Sequence, residues 1–422
     1  MPHRVPRPAA VDIAPLEAAD AAAWTGLIRR GFGLTEARAA HLRAGLGDRE
    51  IRLARRGGAS AGTAALIPMA QWFGGRPVPA AGIAAVTVDE AERRRGIADA
   101  LLRSLMAEAR ARGHAFALLY AATLPLYRRL GFARAGVSSD YQLSGDRTLA
   151  PLADAKRREP LRLRPLPSRD PAPLAALRRR QGRLCNGLLE RPPLLWANLL
   201  SPADDGPSET MPAETLLPET LLIEGEDGPE GYLAFHPPLG GRLRVADICL
   251  LSGGAARQAL SFLAGYAGRA ETVLWPGGPD DPLIHLAPEV EVDIDDWDLW
   301  LGRVLDVPAA LAARGYPSVS APRPVAPALR LDIEVEDTLF AANHGRWRLT
   351  VEDGRGTVEA APAPSPAVPA LRLPVAALAP LYTGHLGAAA LGAMGLIEGD
   401  DAALALAGRL FAGSAPWLAD RF

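Results

Sequence analysis

The chain has almost no lysine: Lys156 is the only one among 422 residues, and arginine supplies the rest of its 46 basic side chains. Abundant arginine is therefore a compositional habit and marks no nucleic-acid groove. With 48 acidic residues the formal net charge is -2, so no global field holds nucleic acid or an anionic membrane. Cysteine is scarce too. Cys185 and Cys249 show no Cys-x-x-Cys or Cys/His spacing, which argues against a disulfide framework or a zinc site and fits a reducing cytoplasm. Long apolar runs are missing: no window reaches the about 18 uninterrupted apolar residues of a membrane span. Near the N-terminus, Asp12, Glu17 and Asp20 stand where a signal peptide would need its apolar core. A soluble, cytoplasmic protein with no metal, no nucleic-acid partner and no membrane partner is the expectation.

A chain of this length exceeds what one core usually organises, so two or three domains are expected. Residues 145–172, with Pro160, Pro165, Pro167 and Pro171, read as a connector, and 201–219 as a polar loop inside the second unit. The division is 1–150, 151–301 and 302–422. Apolar residues fall at helical spacing over 304–314. Alternating patterns then predict strands at 329–335, 347–351 and 357–360, with Glu352-Asp353-Gly354 as the turn between the last two. Apolar stripes over 371–381 and 402–411 predict helices, which makes the last unit α+β. The first two units each place strands before an Ala/Leu-rich helix, an α/β pattern.

The chemistry concentrates between Ala81 and Gly136. The apolar, β-branched run 82–88, including Val86, Thr87 and Val88, suits a buried strand. A polar turn follows, Asp89 to Ala98, ending Arg93-Arg94-Arg95-Gly96-Ile97-Ala98. From Ala98 the apolar residues Leu101, Leu102, Leu105, Met106 and Ala109 form one face of a helix. A glycine turn thus opens a helix directly after a strand, where unpaired N–H groups and the positive end of the macrodipole receive a pyrophosphate. Another buried strand, 115–121, follows Gly113; then come Leu124-Pro125 and Leu126-Tyr127-Arg128-Arg129-Leu130-Gly131-Phe132.

In these two segments, taken in order, the sequence resembles the GNAT acetyltransferase superfamily. Further markers extend the resemblance to the Eis family of multi-domain GNAT proteins: Gly75-Arg76-Pro77-Val78-Pro79-Ala80-Ala81-Gly82, Arg303-Val304-Leu305-Asp306-Val307-Pro308, and the ending Ala415-Pro416-Trp417 to Phe422. The resemblance implies a GNAT acetyltransferase fold, a degenerate second GNAT-like domain, and a sterol-carrier-protein-like C-terminal domain. It also implies acetyl-CoA as co-substrate, held by Val86, Thr87, Val88, the 93–98 turn and Ala122, with the pantetheine arm pairing along the 86–88 strand. Tyr127 is then the acid that protonates the departing thiolate, and the α-carboxylate of Phe422 the base or amine anchor. A homo-oligomer, a hexamer in that family, follows from the same likeness.

The acceptor is expected to be a primary amine of a small molecule. Ala84, Ala85 and Arg421 are placed beside it, and Trp24, Phe32, Trp72 and Phe73 as an apolar pocket. The segment 30–35 carries no acid and Arg421 adjoins the terminal carboxylate, which speaks against a strongly cationic substrate. In the central unit, Leu251-Ser252-Gly253-Gly254-Ala255-Ala256-Arg257 lacks the Arg-x-x-Gly-x-Ala turn, so no CoA is expected there. Two rival readings are an inert scaffold whose last domain binds a lipid, and a transferase acting on a protein or peptide lysine; the intact phosphate turn and Tyr127 speak against the first.

Overall fold

The computed structural model describes residues 11–144, 161–200, 218–286, 292–318, 328–361, 363 and 365–422. Most of the connector at 145–172 and of the loop at 201–219 lies outside them, as does the boundary at 150. The first unit contains β1 (Val11–Pro15), β2 (Ile51–Arg56), β3 (Ala59–Phe73), β4 (Arg76–Val88), β5 (Phe116–Tyr120) and β6 (Ala133–Ser144). Its helices are α1 (Ala21–Phe32), α2 (Glu36–Leu46), α3 (Ile97–Ala111) and α4 (Leu124–Arg129). The central unit contributes β7 (Arg162–Pro165), α5 (Ala172–Gly182), β8 (Leu189–Glu190), α6 (Pro193–Leu200), β9 (Glu219–Gly225), β10 (Gly228–Leu239) and β11 (Arg242–Leu250). It continues with α7 (Gly253–Ala264), β12 (Thr272–Gly277), α8 (Pro282–Leu286) and β13 (Val292–Val304). After α9 (Val307–Ala313) come β14 (Leu329–Glu336), β15 (Gly345–Glu352), β16 (Arg355–Ala360), β17 (Ala370–Pro374), α10 (Val375–Thr383), α11 (Ala388–Ala393) and α12 (Asp401–Leu410).

The first two units share one sheet, ordered β1-β2-β3-β4-β5-β13-β6-β12-β11-β10-β9-β7, with β8 paired to β3. They exchange their last strands. β13 runs antiparallel between β5 and β6, and β6 pairs onward with β12, Ser144 opposite Thr272. Each unit thereby completes the other's hydrogen-bond ladder, and no edge is left between them.

Alternation along β4 sorts its side chains. Ala80 and Ala84 face the core under α1 and α2, whereas Ala81 and Ile83 face the core under α3. The apolar stripe read from the sequence, Leu101 to Ala109, is the buried face of α3. The core under α1 continues into the last unit: Phe73 meets Phe116 and Tyr382 edge-on, with ring centroids 5.5 and 5.3 Å apart.

That unit is a four-stranded sheet, β16-β15-β14-β17, with α10 packed on β6 and β13. The three expected strands and the helix near 402–411 are present. The helix predicted over 371–381 needs correction, because residues 370–374 form β17. Ile333 of β14 lies opposite Leu371, and Arg372 exchanges backbone hydrogen bonds of 2.8 Å with Glu398. Pro374 is the last strand residue, and the helix begins after it. Two partner segments from elsewhere in the chain outweighed a local apolar stripe.

Candidate active site

The site begins as a parting of strands. β4 and β5 pair in parallel only from Ala80 to Gly82, against Phe116 to Leu118; beyond that both continue without pairing to each other. The parting coincides with a bulge. Ala65 opposes Ala84 but Thr63 opposes Thr87, so β4 carries an extra residue, and Ala85 takes φ 54°. A bulge bends and twists its strand, and a non-glycine residue in the left-handed region marks local strain. The edge of β4 from Ile83 to Val88 is thereby left facing the gap. The Thr87 side chain lies against the backbone of Gly31 in α1, so Thr87 offers the gap its main chain alone.

The gap leads to the 89–96 turn. Arg94 and Gly96 both adopt positive φ, 63° and 81°, and a Cβ on Gly96 would meet nothing within 4 Å. Ile97 is buried and pins the start of α3 to the core; Ala98 is half-buried. The first helical bond is Ala100 N–H to Gly96 O, leaving the N–H groups of Ile97, Ala98 and Asp99 as the open end. Arg93 and Arg95 make loose exposed pairs with Glu90 and Glu92 at 3.5 and 3.6 Å, and Arg94 makes none among the described residues. Ala122 is exposed just past β5. The arrangement presents cations and backbone donors to an anion.

Tyr127 belongs to the core under α3, the same cluster that holds Ile83 of β4 and Leu119 of β5. The Tyr-x-x-x-Gly-Phe spacing is explained by Gly131, whose φ of 81° lets Gly131 N–H reach Arg128 O and Phe132 N–H reach Tyr127 O, at 3.0 and 3.1 Å. The reversal sets Phe132 edge-on to the Tyr127 ring, centroids 6.0 Å apart. Tyr127 is 5% exposed, and burial raises its phenol above the ordinary value, so it stays protonated at neutral pH.

Phe422 flanks the gap on the opposite face. Its ring stands edge-on to Tyr120, centroids 6.0 Å apart, and a Cβ on Gly82 would lie 2.8 Å from it. The tail is docked. Leu418 N–H donates to Val137 O at 2.9 Å, and the Tyr120 hydroxyl donates to Asp420 O at 3.0 Å. Arg421 pairs with Asp296 at 2.5 Å and lies 3.9 Å from Asp140.

Ala84 and Ala85 line the gap. Phe32 is half-exposed at the end of α1. Trp24 does not form a pocket wall: it is fully buried, and its Nε1–H donates to Thr63 Oγ1 at 3.1 Å. Trp72 and Phe73 are also core residues, at 5% and 0% exposure. An indole or phenyl ring beneath a helix contributes more by burial than at a wet rim. The absence of acids in 30–35 is also offset. Asp296 and Asp298 of β13 and Asp140 of β6 gather near the tail, and all three act electrostatically with Arg421 or Tyr120. The visible signal was the run Asp293, Asp295, Asp296, Asp298, which strand exchange carries to the first unit's gap.

A strand parted at a bulge, a glycine turn at a helix start and a buried tyrosine thus lie on one sheet built from two similar units. Family models agree: an Acetyltransferase (GNAT) domain matches residues 12–135, a second matches 187–304, and a sterol carrier protein domain matches 307–419. Among solved structures, a GCN5-related N-acetyltransferase from Anabaena variabilis superposes with a TM-score of 0.86 at 29% identity, covering 98% of this chain and 100% of that one. One from Kribbella flavida gives 0.81 at 27% identity, covering 98% and 99%. N-acetyltransferase Eis of Mycobacterium tuberculosis is 29% identical over 305 residues, 66% of this chain and 65% of its own length. The chain is similar to the Eis N-acetyltransferases in sequence and spans about two thirds of their length. Among the described residues no helix is long and apolar enough to cross a membrane.

Proposed function

We propose that the protein transfers an acetyl group from acetyl-CoA to a primary amine of a small molecule. The observation that carries this reading is the β4/β5 gap, which leads to a helix start, has the Phe422 ring beside Gly82 and Tyr120 on one face and has the core that holds Tyr127 on the other. Acetyl-CoA fits the residues present: Ile97, Ala98 and Asp99 offer N–H donors to the pyrophosphate, Gly96 leaves room beside them, Arg93 to Arg95 offer charge, and the unpaired edge of β4 offers strand-like pairing to the pantetheine arm. The amine nitrogen attacks the thioester carbonyl carbon and the C–S bond breaks. The Tyr127 hydroxyl gives its proton to the departing thiolate, and the amine's proton passes to the Phe422 carboxylate. Asp140, Asp296 and Asp298 outnumber Arg421 and Arg244, which pair with them, by three to two and favour a cationic acceptor. Homo-oligomerisation and a cytoplasmic setting belong to the same reading.

The test is steady-state thiol release with acetyl-CoA and a panel of amines. Tyr127→Phe and deletion of Phe422 should each cost about 10²- to 10⁴-fold in turnover, the range of general acid–base catalysis. Deletion moves the carboxylate about 3.5 Å back along the chain. Gly96→Asp should abolish the thermal stabilisation given by CoA, because a carboxylate enters open space where the phosphates bind. Near-normal turnover in both of the first two variants overturns the assigned roles, and an unchanged CoA shift in the third overturns the site.

A further inference from the structure

The central unit carries a buried charge that it does not balance by itself. Arg178 and Arg191, with side chains 5% and 4% exposed, both engage Asp247, 1% exposed. Arg191 spans Asp247 with two bonds of 2.5 and 3.0 Å, and Arg178 binds the same carboxylate. The Tyr232 hydroxyl donates to Asp247 at 2.5 Å, while Arg178 Nε donates to that hydroxyl at 2.9 Å. Two guanidinium groups thus share one carboxylate away from water. The missing negative charge comes from the end of the chain: Arg191 Nε–H donates to Asp420 Oδ1 at 2.7 Å, and Asp420 is 11% exposed.

The same residue is held from the first unit as well, since its carbonyl accepts from Tyr120. Just before it, Trp417 N–H donates to Asn186 O at 3.1 Å, and the Trp417 ring covers Gly278 so closely that a Cβ there would lie 2.5 Å from it. Gly278 follows β12, where the second unit's strands part as β4 and β5 do: β11 and β12 pair only from Arg242 to Arg244. The tail therefore places Trp417 at the central unit's gap and Phe422 at the first unit's gap, with Asp420 fixed between them.

We infer that Asp420 is a positioning residue, and that the central unit acts in the reaction as an arginine clamp that sets the terminal carboxylate. The inference rests on the role proposed above for Phe422. Its physical basis is the uncompensated buried cation left when Asp420 is removed. In Asp420→Asn, Arg191 keeps its two bonds to Asp247, so the fold survives the loss of the third.

Carboxypeptidase A reads the docking directly, as the rate at which Phe422 is released from the full chain. Asp420→Asn should accelerate release about 10- to 100-fold, the range for loss of a charge-assisted hydrogen bond. It should lower kcat while leaving KM for acetyl-CoA within about twofold, because the phosphates bind at the far end of the gap. Asp420→Glu, which keeps the charge, should restore part of both. An unchanged release rate in Asp420→Asn overturns the clamp. Faster release with unchanged kcat overturns its service to transfer, provided deletion of Phe422 abolishes turnover. If that deletion is itself silent, the reading of Phe422 has failed rather than the clamp.

Discussion

Arg303 and Asp337 join the large sheet to the last unit, and removing both of them should cost no more than removing one. Their side chains are 1% and 0% exposed and meet through two bonds of 2.9 Å. Asp337 also accepts from Leu339 N–H at 2.9 Å, Phe340 N–H at 3.1 Å and Asn343 Nδ2 at 2.9 Å. Burial alone would raise this carboxyl, yet Arg303, Asn343 and the two N–H groups together hold it below its ordinary value. Asp337→Ala strands a guanidinium in the core and should destabilise by about 3 to 5 kcal/mol. The loss of acceptors for Leu339 and Phe340 falls within that range. Arg303→Met strands the carboxylate and should cost a similar amount. The double variant Arg303→Met, Asp337→Leu leaves no buried charge, so it should be more stable than either single variant or close to the better one. Thermal and urea unfolding of all four proteins form a double-mutant cycle. Additive losses, or a single-variant cost under about 1 kcal/mol, would refute the claim that a desolvated ion pair holds this junction.

Two further perturbations test the gaps. Burial pushes the Asp281 carboxyl up to about 6, so the folded state binds its proton more tightly than the unfolded chain does. Stability should fall by about 2 to 3 kcal/mol as pH rises from 4 to 6 and then level off. Asp281→Asn keeps an acceptor for Leu283 N–H and should flatten that decline; parallel melting profiles for the two proteins would contradict this. Gly82→Ala introduces a Cβ 2.7 Å from Met69 Cε and 2.8 Å from the Phe422 ring. Overpacking of about 1 to 3 kcal/mol is expected, relieved by displacing the terminal ring, so turnover should drop with CoA affinity retained. Calorimetry showing equal loss of CoA affinity would mean that β4 itself had moved.

Local interactions made much of this protein readable in advance. A glycine with φ 81° at the start of α3, the apolar stripe behind it and the Tyr-x-x-x-Gly-Phe reversal each depend on residues within a few positions of one another. Sequence spacing therefore encodes the glycine turn and the seat of Tyr127 directly. The late hairpin was equally legible, because Asp353 and Gly354 supply the positive φ values its turn needs. What spacing cannot encode is pairing between distant segments. The strand at 370–374 formed because β14 offered a free edge, and Trp24, taken for a pocket residue, went under a sheet built from 39 residues further on. The largest decision of this kind is the exchange of β6 and β13, which carries Asp296 and Asp298 to the first unit's gap. The docking of Asp420 between Tyr120 and Arg191 is another, across 300 and 229 residues. Side-chain identity fixed the reactive groups, while desolvation and strand pairing over long separations, which only the closed structure supplies, fixed what surrounds them.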